Sequence, residues 1–278
     1  MWLIYALTAA VLWGVGQVIV KKGFKNISAL FTNIYTAILG FFLFVPFALS
    51  HGVNFSLIPQ IAPLTFVAAF LLPSYYYVIG KGQLSLTGTI IGIYPLITVI
   101  LSLLFLHENP SIYQKIAIGI IILGTFLVAM PNKIQKIKLG SWLFWALTAA
   151  VMIGTADFLI KVLMNQSDLY TYVFTYAFAA LLATSIIAFF DKKGRKLPPF
   201  NKKFYLATLI GAGMIQTGFF IFHLAIADGF ISLVSPISGI YVAITAVLAW
   251  IFLKEKINKI QAVGIALSAL GVVLVGIA

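Results

Sequence analysis

The stretch that decides the fold is GIYPLITVILSLLFLHENPSIYQ at 92–114, which returns 147 positions later as GIYVAITAVLAWIFLKEKINKIQ at 239–261. Aligned without a gap, residues 79–128 and 226–275 are identical at 20 of 50 positions. Apolar composition alone would give identity at roughly one position in ten. Self-similarity at a fixed spacing indicates a repeated structural unit. The chain is therefore predicted to consist of one unit written twice.

The beginning of each copy also repeats, but at a spacing of 140 residues. The run ALTAAV at 6–11 recurs at 146–151, and Gly14 recurs as Gly154. The change in spacing from 140 to 147 means that about seven residues are inserted within the second copy. The longest predicted connection, 191–203, is where we place them.

The composition predicts a membrane protein. Of 278 residues, 62% are hydrophobic and 9% are charged, which is more apolar surface than a soluble core of this length encloses. The net charge of +12 does not predict nucleic-acid binding, because the basic residues lie in short connections between apolar runs. The absence of cysteine excludes disulfides, thiolate metal sites and cysteine nucleophiles. We expect no metal, no cofactor and no catalytic residue.

Ten apolar segments are long enough to cross a bilayer, which requires roughly 20 residues. They lie at 2–20, 27–49, 61–79, 84–106, 112–130, 141–163, 169–190, 204–227, 231–253 and 257–277. Five helices per copy is an odd number, so the second copy enters the membrane from the opposite side. The predicted fold is an all-α integral membrane protein with ten transmembrane helices arranged as two inverted five-helix repeats. The first repeat covers 1–130, a linker covers 131–140, and the second repeat covers 141–278.

The basic residues predict how the chain is oriented in the membrane. Connections after odd-numbered segments hold 16 lysines and arginines, whereas those after even-numbered segments hold two, Lys115 and Lys161. Cytoplasmic connections carry the excess of basic residues. The sequence therefore predicts a multi-pass protein of the plasma membrane with both termini on the non-cytoplasmic side.

Paired markers connect the chain to a known family. Trp13 and Gly14 lie near the centre of the first segment, and the fourth and ninth segments end in Leu-x-Glu, followed by glutamine and a glycine-rich segment. The doubled markers are Leu106, Glu108, Gln114 and Gly124, then Leu253, Glu255, Gln261 and Gly271. Over its whole length the chain resembles the drug/metabolite transporter (DMT) superfamily, specifically its EamA-like carriers. The resemblance implies a ten-helix carrier whose central cavity is formed mainly by helices 1, 3, 4, 6, 8 and 9, with helices 5 and 10 at the periphery. It also implies cytoplasmic termini, contrary to the basic-residue prediction.

Asp157 is the only acidic residue deep inside a predicted helix, and its counterpart in the first repeat is Gln17. A charged side chain inside a bilayer costs at least about 2.5–3.5 kcal/mol, so a functional role is expected by default. Asp157 is predicted to bind a cationic group of the substrate or a coupling proton. The structural alternative is an ion pair with Lys161, which lies one helical turn later on the same face.

His223 is a second candidate, because an imidazole can change its charge near neutral pH and so couple to protons. Gln216 lies two turns earlier on the same helix face, and Tyr76 occupies the position of His223 in the first repeat. The alternative for His223 is a hydrogen-bonded packing role. If these residues converge with Trp13, they form an amphipathic, mostly aromatic cavity that suits a small organic solute.

Glu108 and Glu255 end the fourth and ninth segments and are predicted to face opposite membrane surfaces. A structural role is favoured, in which each carboxylate hydrogen-bonds nearby backbone or pairs with a lysine. The alternative makes them parts of two opposite gates.

Pro95 and Pro236 lie early in the same two segments. Proline removes a helical hydrogen bond, so these positions are predicted to bend the helices or to break them at the cavity. Tyr94 and Tyr241 lie close to the prolines and are predicted to line the centre, with helix packing as the alternative.

These features predict a secondary active transporter that moves a small organic metabolite, an amino acid or a similar solute, by alternating access. No GxxxxGK[ST] motif occurs, so a gradient, with protons as the candidate coupling ion, or solute exchange would supply the energy. A sugar or nucleotide-sugar carrier and a lipid flippase are alternatives on the same scaffold. An intramembrane lipid-modifying enzyme is disfavoured, because no HExxH or paired-carboxylate motif occurs. The expected partners are the substrate and the lipid bilayer, and the protein is expected to be a monomer or a homodimer.

Overall fold

The computed structural model describes residues 1–23, 28–73, 91–130, 141–195, 202–254 and 256–278. Within these ranges the regular structure is helical, without a strand. The α-helices are α1 (Trp2–Gly23), α2 (Ala29–His51), α3 (Ile58–Leu71), α4 (Tyr94–Phe105), α5 (Ile112–Ala129), α6 (Ser141–Gln166), α7 (Leu169–Phe190), α8 (Lys202–Asp228), α9 (Ile231–Gly239), α10 (Tyr241–Leu253) and α11 (Lys259–Ile277). Eight helical spans in the described ranges are long and apolar enough to cross a membrane, and α9 and α10 together form one of these spans. Helices α3 and α4 are also apolar but shorter. The prediction of an all-α, ten-helix membrane protein is confirmed.

The contacts between helices have an approximate two-fold symmetry, in which exchanging the two repeats exchanges equivalent contacts. Helix α1 packs against α8 and α10, and its counterpart α6 packs against α3 and α4. Helix α2 packs against its own counterpart α7, and α5 packs against its own counterpart α11. Each of these contacts between the repeats therefore has an equivalent, or is its own equivalent.

The packing of α5 against α11 shows how the two repeats are oriented relative to each other. Gly124 on α5 approaches Gly264 and Ser268 on α11, whereas Ile121, one turn earlier on α5, approaches the later residue Gly271. The two helices are therefore antiparallel. Equivalent helices run antiparallel only when the repeats are inverted, as the parity of five helices predicts.

Two hydrogen bonds near the centre of the molecule are related by the same symmetry. Thr98 Oγ1 on α4 donates to the carbonyl of Gly154 on α6 at 3.2 Å. Its counterpart Thr245 Oγ1 on α10 lies 3.5 Å from the carbonyl of Gly14 on α1. The repeated glycine of each first helix thus lies against the repeated threonine of the other half.

The repeated glutamines start the last helix of each repeat. The Ser111 side chain accepts from the N–H of Gln114, and the Gln114 side chain accepts from the N–H of Ser111. Asn258 and Gln261 form the same reciprocal pair at the start of α11. These capping boxes satisfy N–H groups that have no partner within the helix.

The repeated Gly-Ile-Tyr triplet marks a helix break. Helix α9 ends at Gly239 and α10 begins at Tyr241, so the predicted spanning segment 231–253 is broken near its middle, one of the two outcomes predicted from Pro236. In the first repeat α4 begins at Tyr94, the position equivalent to Tyr241. Both tyrosines therefore stand at equivalent helix starts inside the membrane region.

The two prolines have different local roles. Pro236 lies inside α9, where it removes a helical hydrogen bond three residues before the helix ends. Pro95 lies in the first turn of α4, where a missing N–H breaks no helical bond. A Cβ added to Gly239 would lie 3.2 Å from Pro95 Cγ, so the break in one half packs against the proline of the other.

Candidate functional site

A cavity of about 160 Å³ lies between the two halves. Residues of α1, α2, α3, α4, α6, α7, α8 and α10 line it, and none comes from α5 or α11. The two peripheral helices lie where the resemblance places them. Helices α2 and α7, which are the predicted segments 2 and 7, contribute 10 of the 23 described lining residues, in addition to those of the predicted helices 1, 3, 4, 6, 8 and 9.

Most of the binding residues predicted from the sequence meet at this cavity. Those that line it are Trp13, Gln17, Tyr94, Asp157, Gln216 and Tyr241. Tyr76 lies outside the described residues. The residues that line the cavity come from both repeats.

His223 does not line the cavity. It is fully buried behind the wall, covered by the rings of Phe44 and Tyr176. Its Nδ1 lies 2.6 Å from the carbonyl of Phe219, and its Nε2 has no hydrogen-bond partner in the described part of the chain. The expected convergence of His223 with the cavity residues fails, because aromatic side chains of α2 and α7 stand between them.

Asp157 on α6 is only 3% exposed and is the one charged side chain among the described residues that line the cavity. Its Oδ2 accepts a hydrogen bond from Ser235 Oγ at 2.9 Å. Ser235 belongs to α9, in which every residue is buried. No described residue donates to the other oxygen, Oδ1. The carboxylate is thus held from one side and keeps acceptor capacity for a ligand.

Lys161 does not pair with Asp157. Its Nζ donates to the carbonyl of Ile226 at 2.7 Å and to that of Gly229 at 3.0 Å. Both carbonyls lie at the C-terminal end of α8, where they have no intrahelical partner and where a positive charge is favourable. Lys161 therefore caps α8, and the ion pair offered as the structural alternative for Asp157 is not formed.

Glu108 lies three residues beyond the end of α4 at Phe105. Its two oxygens accept from the N–H of Ile231 at 2.8 Å and the N–H of Ser232 at 2.9 Å. These are the first residues of α9, and a carboxylate at a helix N-terminus satisfies unpaired donors. Glu108 thus has the backbone-binding role favoured from the sequence, but its partners belong to the other repeat. Glu255 lies outside the described residues.

The aromatic part of the wall is fixed by its own contacts. Trp13 Nε1 donates to the carbonyl of Ile215 at 3.0 Å, which sets the orientation of the indole ring. The Tyr241 ring meets it edge-on, with centroids 5.8 Å apart, and the Phe219 ring lies 5.9 Å away. A rigid aromatic wall with few polar groups is typical of sites for small organic ligands.

Sequence reasoning missed the cavity residues of α2 and α7, among them Asn33, Thr36, Tyr176 and Thr184. Asn33 is 2% exposed, and its amide nitrogen has no hydrogen-bond partner among the described residues. It is the only amide in the predicted segment 27–49. Because polar side chains within membrane helices face the protein interior, this residue was identifiable from the sequence.

The sequence of the whole chain matches a known family. A sequence model of the EamA-like transporter family matches residues 1–130 and again residues 140–277. The chain belongs to this family. The resemblance to the DMT superfamily is confirmed, and family membership makes this EamA-like protein a multi-pass membrane transporter of small solutes. Membership also points to a transporter rather than an enzyme.

Individual relatives agree with the family match. An uncharacterized transporter of Archaeoglobus fulgidus is 25% identical over 278 residues, covering 98% of this EamA-like protein and 96% of the relative. An uncharacterized protein of Methanocaldococcus jannaschii is 28% identical over 131 residues, which is 47% of this chain and 93% of that protein. A protein of known crystal structure superposes with a TM-score of 0.80 at 15% identity, covering 99% of this chain and 96% of that one. At this identity the superposition shows the shared fold alone.

Proposed function

We propose that this EamA-like protein is a secondary active transporter that moves a small organic metabolite by alternating access. The observation that carries the proposal is the central cavity, whose wall is drawn from both inverted halves. In folds of this kind, one half moves against the other around a fixed site near the middle of the membrane. Because the halves meet at the cavity, such a motion would open it to each side in turn.

The size and chemistry of the cavity support a compact solute with an apolar body. An apolar cavity of about 150 Å³ holds a molecule the size of benzene. The lining residues include the rings of Trp13, Tyr94 and Tyr241, together with a few amides and hydroxyls. No lysine or arginine lies among the described lining residues. The diphosphate group of a nucleotide sugar would therefore lack the cationic partner that it requires. This argues against the nucleotide-sugar alternative.

Transport itself is tested by counterflow. We expect proteoliposomes preloaded with an unlabelled solute that thermally stabilises the protein to take up the labelled solute faster than unloaded proteoliposomes, because a carrier exchanges solute across the membrane. Protein-free liposomes treated identically are the control. Equal uptake with and without protein, for every stabilising solute, would contradict the carrier function.

We further propose that both termini face the outside, on the strength of the basic-residue bias. The chain has no cysteine, so single cysteines report position directly. In intact cells a membrane-impermeant maleimide is expected to label Ala278→Cys and to leave Lys193→Cys, in the connection between α7 and α8, unlabelled. Both positions are exposed in the fold. The reverse labelling pattern would show that the termini are cytoplasmic.

A further inference from the structure

We propose that the cavity selects an organic cation, with its ammonium group held by Asp157 and its apolar body lying against the aromatic wall. The inference rests on the proposed transport function and names the class of solute for it. It replaces the expectation of an amino acid with that of an amine.

The charge of the described cavity lining favours a cationic ligand. Asp157 is buried, lines the cavity and is the only charged side chain in the described lining. A buried carboxylate is stabilised by a cation, yet the nearest candidate along its helix, Lys161, is bound to the α8 carbonyls. The Ser235 hydroxyl supplies one neutral hydrogen bond to Asp157. A cation that enters the cavity therefore completes the electrostatic pairing that the described residues leave open.

The aromatic rings of the cavity favour a ligand with an organic body. Trp13, Tyr94 and Tyr241 line the same cavity as Asp157. The faces of indole and phenol rings attract cations and pack against apolar groups. A hydrated inorganic ion has no apolar surface to use this wall. An amine attached to a ring or a short hydrocarbon uses both the carboxylate and the rings.

The described cavity lining disfavours a ligand with an anionic head group. The carboxylate of a zwitterion or an anion requires a cationic partner, and no lysine, arginine or histidine lies among the described lining residues. Gln17, Asn33 and Gln216 offer only neutral amides. A ligand carboxylate in a cavity of this size would also lie close to Asp157, and like charges repel each other. An amine should therefore bind better than the amino acid that shares its body.

A series of four probes with one shared ring tests the inference. They are 2-phenylethylamine, phenylalanine, 3-phenylpropionate and 2-phenylethanol, which present a cationic, zwitterionic, anionic and neutral head group. Binding to the purified full-length protein is measured by calorimetry and by thermal shift. Because a hydrogen bond to a charged group is stronger than one between neutral groups, we expect the amine to bind about 10-fold or more tightly than each of the others.

A substitution in the cavity links this preference to its cause. Asp157→Asn keeps the shape of the side chain and an oxygen for Ser235, and it is expected to weaken amine binding about 10-fold while leaving 2-phenylethanol within about two-fold. Asp228→Asn is the matched control, because it makes the same change at an exposed position outside the cavity. It should leave the binding of all four probes unchanged.

The outcomes separate the inference from the transport function. Equal or tighter binding of phenylalanine or 3-phenylpropionate, an amine preference that survives Asp157→Asn, or no binding of any probe at millimolar concentration would each overturn the organic-cation inference. The head-group comparison on the unmodified protein needs no variant, so it holds even if Asp157→Asn fails to fold. Failure of counterflow for every stabilising solute would instead overturn the carrier function.

Discussion

Replacing Glu108 with alanine is expected to lower the melting temperature of the protein by about 10 °C. Each of the two backbone hydrogen bonds from Ile231 and Ser232 to this carboxylate contributes about 1.5–3 kcal/mol, and 1 kcal/mol corresponds to about 2–4 °C in a chain of this size. The loss also removes the acceptors of the first N–H groups of α9, which belong to the fully buried residues Ile231 and Ser232. Thermal unfolding in detergent, followed by intrinsic fluorescence, measures the shift.

Two further variants make the test specific for the carboxylate. Glu108→Gln keeps one acceptor oxygen and should lose about half as much stability. Asn109→Ala changes the adjacent exposed side chain, whose described contact is a hydrogen bond from the Lys115 amine, and should change stability by less than about 1 kcal/mol. If the Glu108→Ala and Asn109→Ala proteins have the same melting temperature, Glu108 does not stabilise the start of α9.

Replacing Gly124 with alanine is expected to destabilise the protein by about 1–3 kcal/mol or more. A Cβ at this position would lie 2.6 Å from the backbone nitrogen of Ser268 and 2.8 Å from the carbonyl oxygen of Gly264, so α5 and α11 would have to move apart. Backbone atoms cannot move aside as a flexible side chain does. Close approach of this kind is how small residues hold membrane helices together.

Gly119→Ala is the matched control on the same helix. An added Cβ at Gly119 meets nothing within 4 Å, so the substitution should be neutral or stabilise the helix by up to about 1 kcal/mol. Unfolding by heat or by denaturing detergent ranks the two variants. Since α5 and α11 do not line the cavity, both variants should keep the head-group preference of the unmodified protein. A Gly124→Ala protein that is as stable as the Gly119→Ala protein would show that α5 and α11 have room for a methyl group at Gly124.

The scaffold was predictable from the sequence because its signals are local or repeated. The reciprocal cap of Ser111 and Gln114 joins residues only three positions apart, which makes it readable from the sequence. The inverted arrangement follows from counting five apolar segments in each copy. The helix break after Gly239 was less readable, because proline and glycine permit a break without requiring one.

The partners of individual site residues were not predictable, because they come from distant parts of the chain. Ser235, which holds Asp157, is 78 positions away, and Glu108 binds backbone 123 and 124 positions away. A lone carboxylate in an apolar segment indicates that a partner is needed without naming it. His223 illustrates the converse, because helical periodicity placed it on the face of Gln216 but could not show that rings from α2 and α7 cover it.

Asp157 stands in one half only, and its counterpart Gln17 carries no charge. In a carrier with identical halves, the outward-open and inward-open forms would be related by a two-fold rotation and would have equal free energy. A single carboxylate removes that degeneracy, because exchanging the conformations of the halves gives the charge different surroundings in each form. The proposed carrier would then bind a cation more tightly from one face than from the other. The solute gradient still sets the direction of net flux, but the two directions saturate at different concentrations.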